Sequence, residues 1–199
     1  MRVVIIGQKW LAVEVLRLCQ LRGDDIAAVI APSEDDRLAQ TARTEGLHTI
    51  IALHSVGGGL IPAGVDVILC VHAHAFVGSS ARAKARYGAL GYHPSLLPRH
   101  RGRDAIRWAL HMGDKTTGGT VYWLDDGADT GAIAAQDWCW IRHTDTAKTI
   151  WRDILAPMGI RLFAEVLDQL DDGIVAATPQ DEQLATFGPS FTRSKLNSS

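Results

Sequence analysis

MRVVIIGQKWLAVEVLRLCQLRGDDIAAVIA, residues 1–31, decides the fold. Val3 to Ile6 is an apolar run closed by Gly7, the form a strand takes when both its faces are buried. Leu11, Val15, Leu18 and Cys19 then recur at helical spacing, and Gly23 supplies the stop. Ile26 to Ala31 repeats the apolar run before Pro32 and Ser33 end it. A buried strand, a helix and a second buried strand in this order predict a doubly wound parallel sheet.

Working outward, residues 34–45 read as a solvent-facing helix, and residues 55–64 (SVGGGLIPAG) as a flexible connection without periodicity. Val65 to Val71 is the most apolar run in the chain and is expected to be a central strand. Leu90 to Tyr92 should form another short strand, leading into HPSLLPRHRGR at 93–103. Asp104 is placed to cap a helix running to Met112, with Gly113 beyond its end. Gly119 to Leu124 and Ala132 to Trp140 are strand-like, with DDGADTG (125–131) between them. Thr144 opens a long amphipathic helix that Pro157 should kink and Gly173 should end. Residues 173–199 read as an extended tail laid back across the core. There is no internal repeat and no sign of a second-domain boundary, so 1–199 is expected to be one domain.

Composition narrows the function. Hydrophobic residues make up 47% and charged residues 21%, ordinary values for a globular protein with a real core. The net charge of −2, without a basic block, argues against a nucleic-acid partner, which phosphate contacts would require. The N-terminal apolar stretch is too short for a signal peptide or a membrane span. Cys19, Cys70 and Cys139 form no CxxC pair and suit a reducing cytoplasm better than a disulfide framework.

Ligands of open parallel sheets bind beyond the carboxyl ends of the strands. Three loops should meet there: VHAHAF (71–76), HPSLLPRHRG (93–102) and DDGADTG. They bring His72, His74, His93, His100, Asp125, Asp126 and Asp129 toward one region, and histidine beside carboxylate moves protons near neutral pH.

Here a resemblance becomes specific. Tyr92-His93-Pro94-Ser95-Leu96-Leu97-Pro98, followed by Arg99-His100-Arg101-Gly102, resembles the signature loop of the N10-formyltetrahydrofolate-dependent formyltransferases. Asp125-Asp126-Gly127-Ala128-Asp129-Thr130-Gly131 resembles the folate-side loop of the same family. Within it the chain closely resembles the N-terminal hydrolase domain of 10-formyltetrahydrofolate dehydrogenase, which shares the YHPSLLPRHRG run, the following helix with GDK, and the DDG-DTG loop. The similarity is loose over residues 1–172 and close over 91–136. It implies a formyltransferase fold, N10-formyltetrahydrofolate as formyl donor, no metal, and His93 and Asp129 as the catalytic pair. It also implies a pterin slot lined by Ala75, Phe76 and Val77 and closed by Gly91 and by Asp125, Asp126, Gly127 and Ala128. Protonated His93 would steady the developing oxyanion, and Asp129 would keep it charged and take the nucleophile's proton.

One position departs from the family. Its transferases carry an asparagine two residues before the histidine, and this chain has Gly91. The resemblance implies that the asparagine amide polarises the formyl oxygen, and losing one such donor costs about 2.7–4 kcal/mol of barrier. The related hydrolase domain also lacks the asparagine. Gly91 therefore keeps hydrolysis in view, with water or a backbone N–H at Gly91 in place of the amide.

Other residues admit plainer readings. His72-Ala73-His74 would put two imidazoles on one face of a strand, a metal-like spacing. No third ligand accompanies them, so a metal-free pocket wall is expected. Arg99, Arg101 and Arg103 could grip an anionic acceptor or the folate glutamate tail, or form a solvated loop face. Trp108 and Trp151 fall at core spacing, and Cys70 reads as a small buried hydrophobe.

The expected fold class is α/β, a Rossmann-like, mostly parallel twisted sheet flanked by helices. The leading function is formyl transfer from N10-formyltetrahydrofolate to an amine on a small molecule. Hydrolysis of the same donor and a weakened folate-binding protein are the alternatives, with a metal-dependent hydrolase built on His72 and His74 behind them. Methionyl-tRNA formyltransferases add a C-terminal domain for tRNA, and this sequence of 199 residues is short for one and not basic, so a tRNA acceptor is not expected. Glycinamide ribonucleotide formyltransferases have a Gly-rich phosphate loop where this chain reads Gly7-Gln8-Lys9-Trp10. Amino-sugar and amino-acid-derived amines stay open as acceptors.

Overall fold

Val3 and Ile5 pack into one apolar cluster and Val4 and Ile6 into another. The strand that carries them is therefore covered on both faces, which is why its sequence is a continuous apolar run. The computed structural model describes residues 1–191. Its strands are β1 (Arg2–Gly7), β2 (Asp25–Ala31), β3 (Thr49–Ile51), β4 (Ser55–Val56), β5 (Val67–Val71) and β6 (Phe76–Val77). They continue with β7 (Ala89–His93), β8 (Arg101–Gly102), β9 (Thr116–Trp123), β10 (Ile133–Trp140) and β11 (Phe187–Gly188). The helices are α1 (Lys9–Arg22), α2 (Arg37–Thr44), α3 (Ser79–Arg82), α4 (Ala105–His111), α5 (Ala147–Ile150) and α6 (Ala156–Asp171).

Seven strands form the main sheet in the order β10-β9-β7-β5-β1-β2-β3. The pairs from β7 through β3 are parallel; β9 and β10 add antiparallel. This is a mostly parallel Rossmann-like sheet flanked by helices. The chain first builds outward from β1 through β2 and β3, then returns to the other side of β1 with β5. The crevice at that reversal, between the carboxyl ends of β1 and β5, is where such sheets take ligands. A Cβ on Gly7 would collide with the Val71 carbonyl, so the close approach of the two strand ends requires glycine.

Several expectations need correction. Residues 34–45 do not face solvent throughout: α2 starts at Arg37, and Leu38, Ala39 and Ala42 are buried. The Asp36 carboxylate caps it by accepting from the Leu38 N–H at 2.8 Å. The 55–64 stretch is not a bare connection, because Ser55–Val56 pairs with Phe76–Val77 in a small parallel sheet. Asp104 precedes α4 but does not cap it; it lies in the left-handed region with φ 60°. Its Oδ2 accepts instead from the backbone of Phe191.

The interruption expected at Pro157 takes the form of a widened turn in the helix ahead of it, with the proline in the first turn of α6. Trp151–Leu155, just before α6, has π-type bonding, which accommodates a residue with no N–H to donate. Beyond Gly173 the chain runs back along the sheet mostly extended, with a 3₁₀ turn at Glu182–Leu184 and the two-residue β11. Ala176 accepts from the Trp123 indole, Thr178 bridges to Ile133, and β11 pairs with β8. The rest of the expected tail, residues 192–199, lies outside the described residues. Among the described residues no helix is long and apolar enough to cross a membrane.

Candidate active site

His93 is the last residue of β7, and the loop after it is stitched down from below. Thr120 on β9 donates its hydroxyl to the Ser95 carbonyl at 2.7 Å and receives the Leu97 N–H at 3.2 Å. Ser95 in turn donates to the Arg99 carbonyl. Asp114 takes a two-pronged bond from Arg99 and a 2.6 Å bond from His100 Nε2. These ties put the His100 carbonyl 2.7 Å from His93 Nε2. A carbonyl only accepts, so Nε2 carries the hydrogen and Nδ1 is the nitrogen free to exchange a proton.

Nδ1 faces Asp129 Oδ2 at 3.5 Å. Asp129 sits at φ 59°, a left-handed conformation that aspartate tolerates better than most residues. Its carboxylate is held at both ends. Oδ2 accepts the Gly102 N–H at 2.8 Å, and Oδ1 accepts the Tyr122 hydroxyl at 2.6 Å. Its carbonyl and that of Gly131 both accept from the Gln180 amide. Tyr122 and Gln180 were invisible as site residues in the sequence, one inside a strand and the other in an aperiodic tail.

The left-handed backbone is concentrated here. The non-glycine residues with positive φ among those described are Lys9, His72, His100, Asp104 and Asp129, and three of them, His72, Asp104 and Asp129, stand on the wall of the cavity over the pair. Each costs on the order of 1–3 kcal/mol, and such strain gathers at functional sites.

A cavity of about 1040 Å³ opens over the pair and is lined by His93, Asp129, Gly91 and Tyr122. Of the residues expected at the pterin slot, Ala75, Val77 and Ala128 are on its wall. Phe76 is not; its side chain is turned outward and is 56% exposed. Asp125, Asp126 and Gly127 also stand off the wall. Asp125 orders its own loop by accepting from the Gly127 N–H and the Thr130 hydroxyl. Asp126 pairs with Arg82 and is otherwise in solvent.

His72 and His74 line the same cavity, with Trp151 edge-on to His72 at 5.7 Å. Trp151 is thus part of the pocket wall as well as of the helix packing. Burial, then Lys9 and His74, push the His72 imidazole below its ordinary value. Burial, then Arg103 and Lys9, do the same for His74. Both favour neutral rings at neutral pH. Among the described residues no group of three or more His, Cys, Asp or Glu side chains is arranged to hold a metal ion.

The three arginines part ways. Arg99 pairs with Asp114, and Arg101 is buried against Gln180 and Glu182 of the tail. Arg103 alone of the three lines the cavity.

Residues 52–167 match the family model described as formyl transferase. The chain belongs to the formyl transferase family. It is 32% identical over 200 residues to the mitochondrial 10-formyltetrahydrofolate dehydrogenase of Mus musculus, an alignment covering 94% of this chain and 22% of that protein. The chain thus spans about a fifth of the length of the curated relatives it matches. Among solved structures, an N-formyltransferase from Helicobacter canadensis, in complex with folinic acid and dTDP-3-aminofucose, superposes with a TM-score of 0.76. That match has 19% identity and covers 98% of this chain and 72% of the other. HypX from Aquifex aeolicus, solved with tetrahydrofolic acid, gives a TM-score of 0.72 at 18% identity over 98% of this chain and 30% of HypX. Both likenesses establish a shared formyl transferase fold.

Proposed function

We propose that this chain moves the formyl group of N10-formyltetrahydrofolate to an amine of a small molecule. The observation that carries the reading is the His93 Nδ1–Asp129 Oδ2 pair, 3.5 Å apart on the wall of a cavity of about 1040 Å³. That volume accommodates a folate-sized donor together with a small acceptor. Ala75, Val77 and Leu124 give it an apolar side suited to a flat heterocycle.

The chemistry follows from the two groups. The acceptor nitrogen adds to the formyl carbon, and its proton passes to Asp129. The carbonyl oxygen takes the negative charge and is met by the N–H of protonated His93 at Nδ1. Collapse breaks the bond from carbon to N10, N10 takes up the proton that Asp129 received, and the formyl amine and tetrahydrofolate leave with the carboxylate restored. His93 Nε2 stays bonded to the His100 carbonyl throughout, which keeps the ring from turning.

Water as the nucleophile is the second reading, and Gly91 favours it. With no side chain at 91, the site lacks the amide donor that the resemblance implies for transferases. The dehydrogenase relatives support the same alternative. The reading further takes residues 1–199 as one catalytic unit with 173–199 as its tail. A cytoplasmic location suits the free cysteines Cys19, Cys70 and Cys139.

The test is to incubate the protein with N10-formyltetrahydrofolate, with and without a panel of small amines, and measure tetrahydrofolate, formate and formyl amine. Amine-dependent tetrahydrofolate release that vanishes in His93→Ala is the expected result. Equal release without amine, accompanied by formate, selects hydrolysis. Retention of activity in His93→Ala sinks both.

A further inference from the structure

Tyr122 is a buried hydroxyl that neither His93 nor the donor cavity accounts for. Only 6% of the residue is exposed, yet it lies on the cavity wall. Across the antiparallel pair of β7 and β9 its register partner is Gly91. The phenol occupies the space a side chain at 91 would need. A Cβ there would stand 3.1 Å from Cε1, 3.2 Å from Cζ and 3.3 Å from the hydroxyl oxygen. From that position the hydroxyl donates to Asp129 Oδ1 at 2.6 Å.

We infer that Tyr122 is a positioning residue for Asp129, and that the bare backbone at Gly91 is what admits it. The inference rests on the formyl-transfer reading and adds a residue to it. Asp129 lies on a turn whose neighbours Asp126 and Gly127 are exposed, so the loop alone does not orient its carboxylate. Two donors do, one for each oxygen. Gly102 N–H fixes Oδ2, the oxygen that faces His93, and Tyr122 fixes Oδ1. Without the hydroxyl, the carboxylate can rotate and carry Oδ2 away from Nδ1.

The phenol is suited to this work. Burial, then the nearby Asp129 charge and the hydrogen bond to it, push its ionisation well above the usual range, so it remains an O–H donor. A hydroxyl also accepts, so it can stay bonded to Oδ1 after Asp129 has taken the nucleophile's proton. A purely space-filling tyrosine would need only its ring.

The experiment is a kinetic cycle on the full chain: wild type, Tyr122→Phe, Asp129→Asn and the double variant, at saturating N10-formyltetrahydrofolate. Phenylalanine keeps the ring and removes only the oxygen. Tyr122→Phe should lower kcat roughly 10–100-fold, the loss of one hydrogen bond to a charged group. The Kd for tetrahydrofolate, read by fluorescence, should stay within about twofold because uniform binding is untouched. The double variant should be no slower than Asp129→Asn, since both changes act through one carboxylate.

A second measurement does not depend on turnover. The chain has three tyrosines, so a ¹³Cζ-tyrosine spectrum gives few signals and Tyr122→Phe assigns one of them. That signal should move in Asp129→Asn. A wild-type kcat in Tyr122→Phe overturns the inference, as do losses that multiply in the double variant or a signal that Asp129→Asn leaves in place. An inert wild type overturns the transfer reading and this role with it. An active wild type with an equally active Tyr122→Phe overturns this role alone.

Discussion

Arg101 and Gln180, 79 residues apart, are joined by two hydrogen bonds to one amide oxygen, 3.0 Å from Nε and 2.8 Å from Nη2. The other end of Gln180 donates to the carbonyls of Asp129 and Gly131. One side chain therefore clamps three segments: the loop after His93, the loop that carries Asp129, and the returning tail. Gln180→Ala should cost about 1–3 kcal/mol, the range for freeing a charged donor and two partly buried acceptors. Urea denaturation would measure it. Because Asp129 is one of the clamped residues, kcat should fall more than tetrahydrofolate affinity does.

Asp114 does similar work under the histidine. Burial disfavours its charge, but the bonds from Arg99 and His100 and their charges outweigh that and hold its carboxyl below the usual range. A depressed folded-state pKa contributes stability above the unfolded value, about 3.9, and that contribution is lost as pH falls through the folded value. Asp114→Asn should be less stable than wild type by about 1–3 kcal/mol at pH 7. The gap in Tm between the two proteins should begin to narrow below about pH 4, where the unfolded chain's carboxyl takes up a proton, and go on narrowing until the folded carboxyl is protonated at its lower value. A gap that stays constant from pH 7 to pH 3 would remove Asp114 from this role. Loosening His100 also frees the carbonyl that holds His93 Nε2, so turnover should drop as well.

The sheet was legible because β1, β2 and β5 are buried on both faces and leave unbroken apolar runs. The pair His93 and Asp129 was legible because each stands in a motif of several residues. Tyr122 was not, since its meaning depends on which residue faces it across β7 and β9, and register is a property of the paired strands. Arg99, Arg101 and Arg103 alternate in sequence with nothing to distinguish them. Only tertiary partners separate them, Asp114 for the first and the tail for the second. Ser55–Val56 escaped notice because so short a strand exists only by virtue of its partner Phe76–Val77. Asp104 has the residue type of a helix cap but a left-handed backbone that turns its carboxylate elsewhere.

Gly91→Ala tests the packing side of the site. The added methyl would press on the Tyr122 ring at 3.1–3.3 Å, so the ring must give by a few tenths of an ångström. Overpacking of this kind typically costs about 1–3 kcal/mol. The displaced hydroxyl should lengthen its bond to Asp129, and kcat should fall together with Tm. If Gly91→Ala melts and turns over like wild type, the strands have slack there, and the need for glycine at 91 has another cause.

Arg103 is the arginine left to meet a ligand. It lines the cavity, has no ion-pair partner among the described residues, and its charge helps lower the His74 pKa. An anionic group on either substrate would find it there: a carboxylate or phosphate of the acceptor, or the glutamate of the folate. Arg103→Gln should weaken such a substrate roughly 3–10-fold, since an exposed charge pair is worth about 1 kcal/mol. The loss should fall on KM more than on kcat and should shrink at high salt, where exposed charges are screened. Comparing monoglutamyl with polyglutamyl donors locates the contact: a loss that grows with glutamate number puts Arg103 on the folate tail, and a loss that follows acceptor charge puts it on the amine substrate. His74 provides a check that needs no substrate, because removing the neighbouring charge should raise its titration point in an NMR pH series.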